Sequence, residues 1–494
     1  MQVLKAFLLR DIVLIGRWFM VWWECKTEKA AAAASVSRDD STEDEAGPAG
    51  KSPSRFGRSS SRASRSSEQE DRKQETTRSA SQHKQSTASG DATQAKGTVK
   101  KNMFRFSNFV KSGTEAYILN TAKMTVQPNE MHQVTMGPNG PEWTCTQQPY
   151  TCRLDRPKKE SKMHGLKSFV AYQLTPSFAG IQVSRRYKHF DWLHQRLSEK
   201  YAILPIPPLP EKTVSGRFED DLIEHRMHLL QLWVSKLCRH PVLAHSDVWI
   251  HFITCTDDKK WKQGKRKAEK DEFTGGNFFF CLNVPAQPLD PNDVDMRVEA
   301  FDRMSKSLST SVQNMQGVAA DNAKKMMGPY KREWQKMGAA FGSLAQSFEL
   351  DQSTSSQGIT EAMKRMSNCY FQVGEMHAQQ PKKDLDPFMD NLFAYKGMLG
   401  TLPDITQVHK SALAKLRDHE KMGAEGRISQ TETESIRSRV DTISYAMLAE
   451  MNHFHSERVI DFKRNMSNFL ESQIEFYKHI VSHLEGTLQA FNAA

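Results

Sequence analysis

The chain is poor in sulfur arranged for bonding. Its seven cysteines, at positions 25, 145, 152, 238, 255, 281 and 369, form no Cys-x-x-Cys pair, and no histidine pair stands near them at metal-ligand spacing. This excludes a disulfide framework and a zinc site, and it fits reduced thiols in a cytosolic protein. Catalytic signatures are missing as well. There is no phosphate-binding P-loop, no Gly-x-Ser-x-Gly and no paired His-Glu motif. His453 and His455 stand two apart in a helical stretch and so point to different faces, which argues against a metal pair. No enzymatic activity, cofactor or metal is expected.

Long apolar runs are scarce. The run from Ile12 to Trp23 follows Lys5 and Arg10, but it is short and carries Arg17 in its middle. A membrane span needs ~20 apolar residues and tolerates an internal arginine poorly. No small-residue cleavage site follows. Residues 1–24 are read as an apolar N-terminal segment of unknown role. Across 25–103 large apolar residues are nearly absent, and the segment is rich in Ser, Arg and Lys. Such a segment cannot bury enough surface to offset its ordering entropy, so a disordered linker is expected. The run Ser59-Ser-Ser-Arg-Ala-Ser-Arg-Ser-Ser67 offers phosphorylation sites, with an RS-type RNA-binding tail as the competing reading.

What is present is positive charge and helical periodicity. Lys and Arg number 68 against 58 Asp and Glu, a formal charge of +10, which suits an anionic partner, either a membrane surface or nucleic acid, without choosing between them. Residues 104–148 hold aromatics, two Gly-Pro turns and Trp143, and read as a structured connector. In 149–256, three β-prone runs (Tyr150–Leu154, Ser168–Leu174, Ile181–Arg185) precede helical stretches at Tyr187–Lys200, Phe218–Arg239 and Ser246–Thr254. A stiff loop, Leu204-Pro-Ile-Pro-Pro-Leu-Pro210, lies between the first two helices. This is a small α+β domain. Residues 257–292 form a basic linker containing Trp261.

From 293 to 494 nearly everything reads as helix. Val294, Val298, Phe301, Ser305, Leu308, Val312, Met315 and Ala319 step alternately by four and three, a heptad seam. A second stripe runs through Ile436, Val440, Ile443, Met447, Met451 and Phe454, and continues in Phe462, Met466, Phe469, Phe476 and Ile480. Breaks at Asp351–Gly358 and Met422–Arg427 leave three long helices, with a kink expected at Gly328-Pro329. Helices with one apolar seam must pack together, and dimerisation buries what remains.

The constellation Arg185-Arg-Tyr-Lys-His-Phe190, the proline loop, Lys212 and Arg226 reads as a basic pocket with an aromatic floor. An arginine suits a phosphate, and a tyrosine face suits a sugar-like ring.

These residues resemble the PX domain of sorting nexins. The likeness is carried by Arg185–Leu193, by Ile206-Pro-Pro-Leu-Pro-Glu-Lys212 and by Gly216-Arg-Phe-Glu219. It is nearest to the sorting nexin 9 subgroup, which carries SH3, PX and BAR domains. Gly328-Pro-Tyr-Lys331, Gln380-Pro-Lys-Lys-Asp384 and Glu450-Met-Asn-His-Phe-His-Ser456 agree with the BAR half. The resemblance implies a multidomain fold. An α+β PX domain, with a three-stranded antiparallel sheet plus helices, precedes an all-α three-helix BAR domain that dimerises, behind a disordered N-terminal region. It implies that Arg186 holds the 3-phosphate, Tyr187 packs on the inositol ring, Lys212 meets the 1-phosphate and Arg226 contacts the 4-position oxygens. Leu204, Ile206 and Leu209 would dip into the bilayer.

Lys259, Lys260, Lys262, Lys265, Arg266 and Lys267 of the linker would face anionic lipid, or the linker would brace the PX domain. On the BAR helices Lys324, Lys325, Lys331 and Arg332, with Lys336, Lys364, Arg365, Lys410, Lys415 and Arg417, would do the same, at ~1 kcal/mol each near the surface. The implied function is phosphoinositide binding and membrane curvature in endocytosis, vesicle formation and trafficking, with cytokinesis among the implied roles. The implied location is peripheral, on plasma membrane, endocytic vesicles and endosomes. Homodimers or heterodimers with related sorting nexins are expected, and no nucleic-acid partner. No Ala-Leu-Tyr-Asp-type SH3 start is recognisable, so the family's SH3-borne partners, dynamin and actin-nucleation promoters, are doubtful here.

Two further motifs offer other readings. Pro205-Ile-Pro-Pro208 and Pro207-Pro-Leu-Pro210 satisfy Pro-x-x-Pro, which supports the alternative of a scaffold for SH3 partners. Asp386-Pro-Phe388 resembles an adaptor-appendage ligand but lies in a helical region.

Overall fold

The computed structural model describes residues 113–494, apart from 120, 122–123, 145–147, 163–166, 213–218 and 352. The readings made for 1–24 and 25–103, and for Gly216–Phe218, lie outside the described residues.

Two small sheets and a long helical array make up the described chain. After the short helix α1 (Thr114–Ile118), strands β1 (His132–Gly137) and β2 (Gly140–Thr144) form a hairpin. Its turn needs Gly140 at φ 109°, a region closed to most side chains. A two-residue strand, β6 (Leu282–Asn283), returns from beyond the α+β domain and pairs parallel with β1. The sheet β2-β1-β6 therefore joins the segments on either side of that domain.

The second sheet, ordered β3-β4-β5, is antiparallel: β3 (Cys152–Lys162), β4 (Lys167–Pro176) and β5 (Val183–Arg186). Its register shifts between Asp155 and Lys158, where Arg156 takes φ 48° and Pro157 has no N–H for the ladder. Helices α2 (Tyr187–Lys200), α3 (Asp220–Arg239) and α4 (Asp247–Thr254) cover the sheet. Their apolar faces meet in a core of Tyr172, Leu174, Phe190, Leu193, Trp233 and Trp249, all essentially buried.

Helix α5 (Asp258–Glu269) follows. Then come α6 (Pro291–Lys325), α7 (Lys331–Glu349), α8 (Gln357–Gln379), α9 (Leu385–Ala424) and α10 (Gln430–Ala493). At Gly328-Pro329 the proline lacks an N–H and its ring crowds the preceding turn. The helix responds with a π-turn over Met326–Tyr330 and does not break. One interruption was not foreseen: Pro381 sits in a 3-10 turn, Gln380–Lys382, that parts α8 from α9.

The two seams face inward. Val294, Val298, Phe301, Ser305, Val312 and Ala319 are buried, as are Ile436, Val440, Ile443, Met447, Met451, Phe454, Phe476 and Ile480. Met315 departs from its expected place in the seam, at 47% exposed. Among the described residues, no helix is long and apolar enough to cross a membrane.

Candidate lipid-binding site

Strand β5 ends where α2 begins, and the junction separates two adjacent arginines. Side chains alternate along a strand, so Arg185 turns inward and Arg186 outward. Arg185 is buried. Its Nε donates to Phe252 O at 2.9 Å, its Nη2 to Cys255 O at 2.6 Å, and its guanidinium lies 4.1 Å from the Trp261 ring. It is a strut between β5 and the end of α4. Arg186, half-buried at the N-cap of α2, donates from Nε to His189 Nε2 at 3.3 Å and lies over the Phe169 ring at 5.4 Å.

Tyr187 opens α2. Its hydroxyl donates to Pro210 O at the end of the proline loop, and the Arg226 guanidinium covers its ring at 5.1 Å. Burial lifts the Tyr187 phenol above its ordinary value, so the hydroxyl stays a neutral donor. Arg226 reaches this point from α3 and is itself only 9% exposed. Lys212 pairs with Asp191 at 2.9 Å, with both side chains well exposed. An exposed pair of this kind is worth ~0–1 kcal/mol, so an incoming phosphate competes easily for the lysine. Loop, strand end and two helices thus bring Tyr187, Arg226 and Lys212 around one corner, with Arg186 beside Tyr187 in sequence.

The proline loop departs from expectation. Leu204 is 3% and Ile206 6% exposed, and both belong to the core; Leu209 is half-buried. Bilayer insertion by Leu204 and Ile206 is therefore corrected. These side chains are already used in holding the loop down. Trp233 Nε1 donates to Pro207 O at 2.9 Å, and the Pro208 ring lies so close to Gly397 of α9 that a Cβ there would sit 2.2 Å from it. Because Pro205, Pro207 and Pro210 are buried, the Pro-x-x-Pro motifs are not displayed as SH3 ligands either. Beside the loop a cleft of about 650 Å³ opens towards α9. It is lined by Tyr187, Asp191, Lys212 and Ile405 among others, while Arg186 and Arg226 lie outside its lining. The adaptor-type motif is likewise closed, with Phe388 buried against Phe469.

The basic residues divide into two groups. On α5, Lys259, Lys260, Lys262, Arg266 and Lys267 are exposed and Lys265 is half-buried, while Trp261 turns into the α+β domain. On the long helices Lys324, Lys325 and Arg332 are exposed near the π-turn, but Lys331 is half-buried and paired with Glu375 at 2.7 Å. Three others are paired within the helical array or with the connector. Lys410 lies 3.6 Å from Asp302, Lys415 pairs with Glu115 of α1 at 2.6 Å, and Arg417 pairs with Asp295 at 2.8 Å. Lys410 and Lys415 are half-buried in these contacts, while Arg417 stays exposed.

Sequence reasoning missed the polar joint between α3 and the helical array. Asp461 of α10 accepts from Lys236 at 2.5 Å, Arg239 at 2.8 Å, Tyr395 Oη at 2.9 Å and Arg464 at 2.8 Å. Burial pushes its carboxyl up, but Lys236, Arg239 and Tyr395 overcome this and hold it below its ordinary value. Nearby, Glu450 Oε2 accepts from Trp143 Nε1 at 3.0 Å and lies 3.1 Å from His240 Nε2. His240 Nδ1 receives the Val242 and Leu243 amides, so Nε2 carries the proton and donates to Glu450. These residues sit far apart in sequence, and charged residues on helices ordinarily read as a solvated face.

Residues 174–256 match the PX domain family, and residues 257–492 match the family described as the WASP-binding domain of Sorting nexin protein. The chain is 50% identical over 410 residues to Sorting nexin lst-4 of Caenorhabditis elegans, covering 83% of this chain and 70% of that protein. It is 42% identical over 394 residues to Sorting nexin-33 of Homo sapiens, covering 80% and 69%. A solved structure described as the SNX-BAR Mvp1 tetramer is similar at 15% identity with a TM-score of 0.44, over 68% of this chain and 99% of that one. The chain belongs to the sorting nexins that carry a PX domain followed by a helical BAR domain.

Proposed function

We propose that Arg186, Tyr187, Lys212 and Arg226 form the head-group site through which this phosphoinositide-binding, curvature-shaping protein of membrane trafficking engages its target bilayer. The observation that carries the reading is the junction of β5 and α2. There Arg185 is consumed internally while Arg186 is turned out beside a tyrosine whose ring is capped by Arg226. A phosphorylated ring docked at Tyr187 would have Arg186 and Arg226 as neighbours, with Lys212 at the end of the proline loop.

The exposed lysines of α5 and those beside the π-turn add a sequence-independent attraction to anionic lipid. The BAR helices supply dimerisation, with itself or with a related sorting nexin, and the protein acts peripherally on plasma membrane, vesicles and endosomes. Within the family we place it in the sorting nexin 9 subgroup, on the motifs at 185–193 and 206–212. We read it as a non-enzymatic protein. Co-sedimentation with phosphoinositide vesicles tests the site: Arg186→Ala is expected to remove most of the phosphoinositide-dependent binding, and unchanged binding would refute the assignment.

A further inference from the structure

We propose that Trp261, which lies on α5 outside the residues that match the PX domain, is a positioning residue of the lipid site. It sets Arg186 through Arg185 and His189. The inference rests on the reading of Arg186 as a phosphate ligand, given above. Trp261 is only 8% exposed although it sits in a strongly basic helix, flanked by Lys259, Lys260 and Lys262. A tryptophan on a basic helix beside a membrane domain ordinarily reads as an interfacial anchor. Here its ring is spent on the PX domain.

The ring stacks on His251 at 5.3 Å with an interplanar angle of 9° and meets Trp192 edge-on at 5.6 Å. Two further contacts point at the lipid site. The Arg185 guanidinium lies 4.1 Å from the Trp261 ring, which fixes the residue preceding Arg186. His189 lies 5.4 Å from Trp261, and its Nε2 accepts the hydrogen bond from Arg186 Nε. Tryptophan is the strongest cation–π partner, and the pair with Arg185 is largely out of water. The helix can approach this closely because position 264 is glycine: a Cβ there would sit 2.1 Å from His251 Nε2.

Arg186 is therefore held by two contacts, with Phe169 of β4 and with His189, and His189 in turn packs on Trp261. Helix α5 is a working part of the lipid-reading unit, and its exposed lysines are held in a fixed position relative to the head-group pocket.

The test uses the full chain with vesicles of phosphatidylcholine and phosphatidylserine, with and without a phosphoinositide. Trp261→Ala is expected to weaken the phosphoinositide-dependent part of binding about tenfold, less than the whole of a lost desolvated cation–π contact because the effect on Arg186 is indirect, and to leave binding to phosphatidylserine vesicles unchanged. Trp261→Phe should restore most of the loss. His189→Ala, which removes one of the two routes, should reproduce part of it, and the double variant should be no worse than Trp261→Ala alone, because both act through Arg186. A Trp261→Ala protein that binds phosphoinositide vesicles like the parent overturns the proposal. So does one that loses both kinds of vesicle equally, or a double variant whose losses simply add. Arg186→Ala run alongside separates the two readings. If it changes nothing, the pocket assignment fails; if it abolishes binding while Trp261→Ala does not, only the positioning role fails.

Discussion

Adjacent residues of one kind can have opposite roles, and Arg185 and Arg186 show why. Both were legible as part of a phosphate-suited cluster, but strand alternation sends one into the protein and the other out. The buried polar residues of the joint carry the sharpest residue-scale expectations. Asp461→Asn removes a carboxylate that neutralises the nearly buried Lys236; Arg239 beside it is half-buried and keeps Glu457. Breaking a buried pair from one side costs ~3–5 kcal/mol, and a drop of that size in denaturant-measured stability is expected.

Glu450 gives a pH signature. Burial raises its carboxyl to about 7 from 4.5, so the folded state holds its proton more tightly than the unfolded one. Its stabilising contribution is complete below pH 4.5 and is lost as pH rises through about 7. Glu450→Gln keeps the shape and stays neutral. Melting temperatures across pH 5–8 should therefore show the variant gaining on the parent as pH rises; parallel curves would contradict this. None of this network was readable in the sequence, because its members come from positions 143, 236–240, 395 and 450–464 and meet only when the domains dock.

Among the elements, the long helices were the most legible. Seams of period three and four over many turns leave one way to bury them, and only Met315 fell outside. The joining sheet was not legible, because β6 has two residues and pairs in parallel with a strand some 150 positions earlier. The proline loop was found but misassigned. Leu204 and Ile206 look like insertion residues when the loop is considered alone, and become core residues once α9 lies beside it. The seat of the loop depends on Gly397. Gly397→Leu places a side chain where Pro208 now lies. Overpacking of this kind costs ~1–3 kcal/mol, and hydrogen exchange at residues 201–212 should speed up while that of α6 stays unchanged. If exchange in the loop does not change, α9 is not what holds it.

At the scale of the whole chain, the PX domain is fastened to the BAR helices at several places among the described residues, the His225–Asp390 pair at 2.9 Å being one. Others are the Asp461 joint, the Glu450 cluster and the seat of the proline loop on α9. A fastened PX domain would hold the proposed head-group site in a set position relative to the BAR helices, which would couple reading the lipid to shaping the bilayer. Weakening the fastening should separate them. Asp461→Asn is expected to retain most phosphoinositide binding but to lose tubule formation. The measurement that tests the account most directly is electron microscopy of vesicles incubated with the full chain, with and without phosphoinositide in the bilayer. The account predicts tubules from phosphoinositide vesicles with the parent protein and few or none with Arg186→Ala at the same concentration. Equal tubulation by the two proteins, or tubulation indifferent to the phosphoinositide, would contradict it.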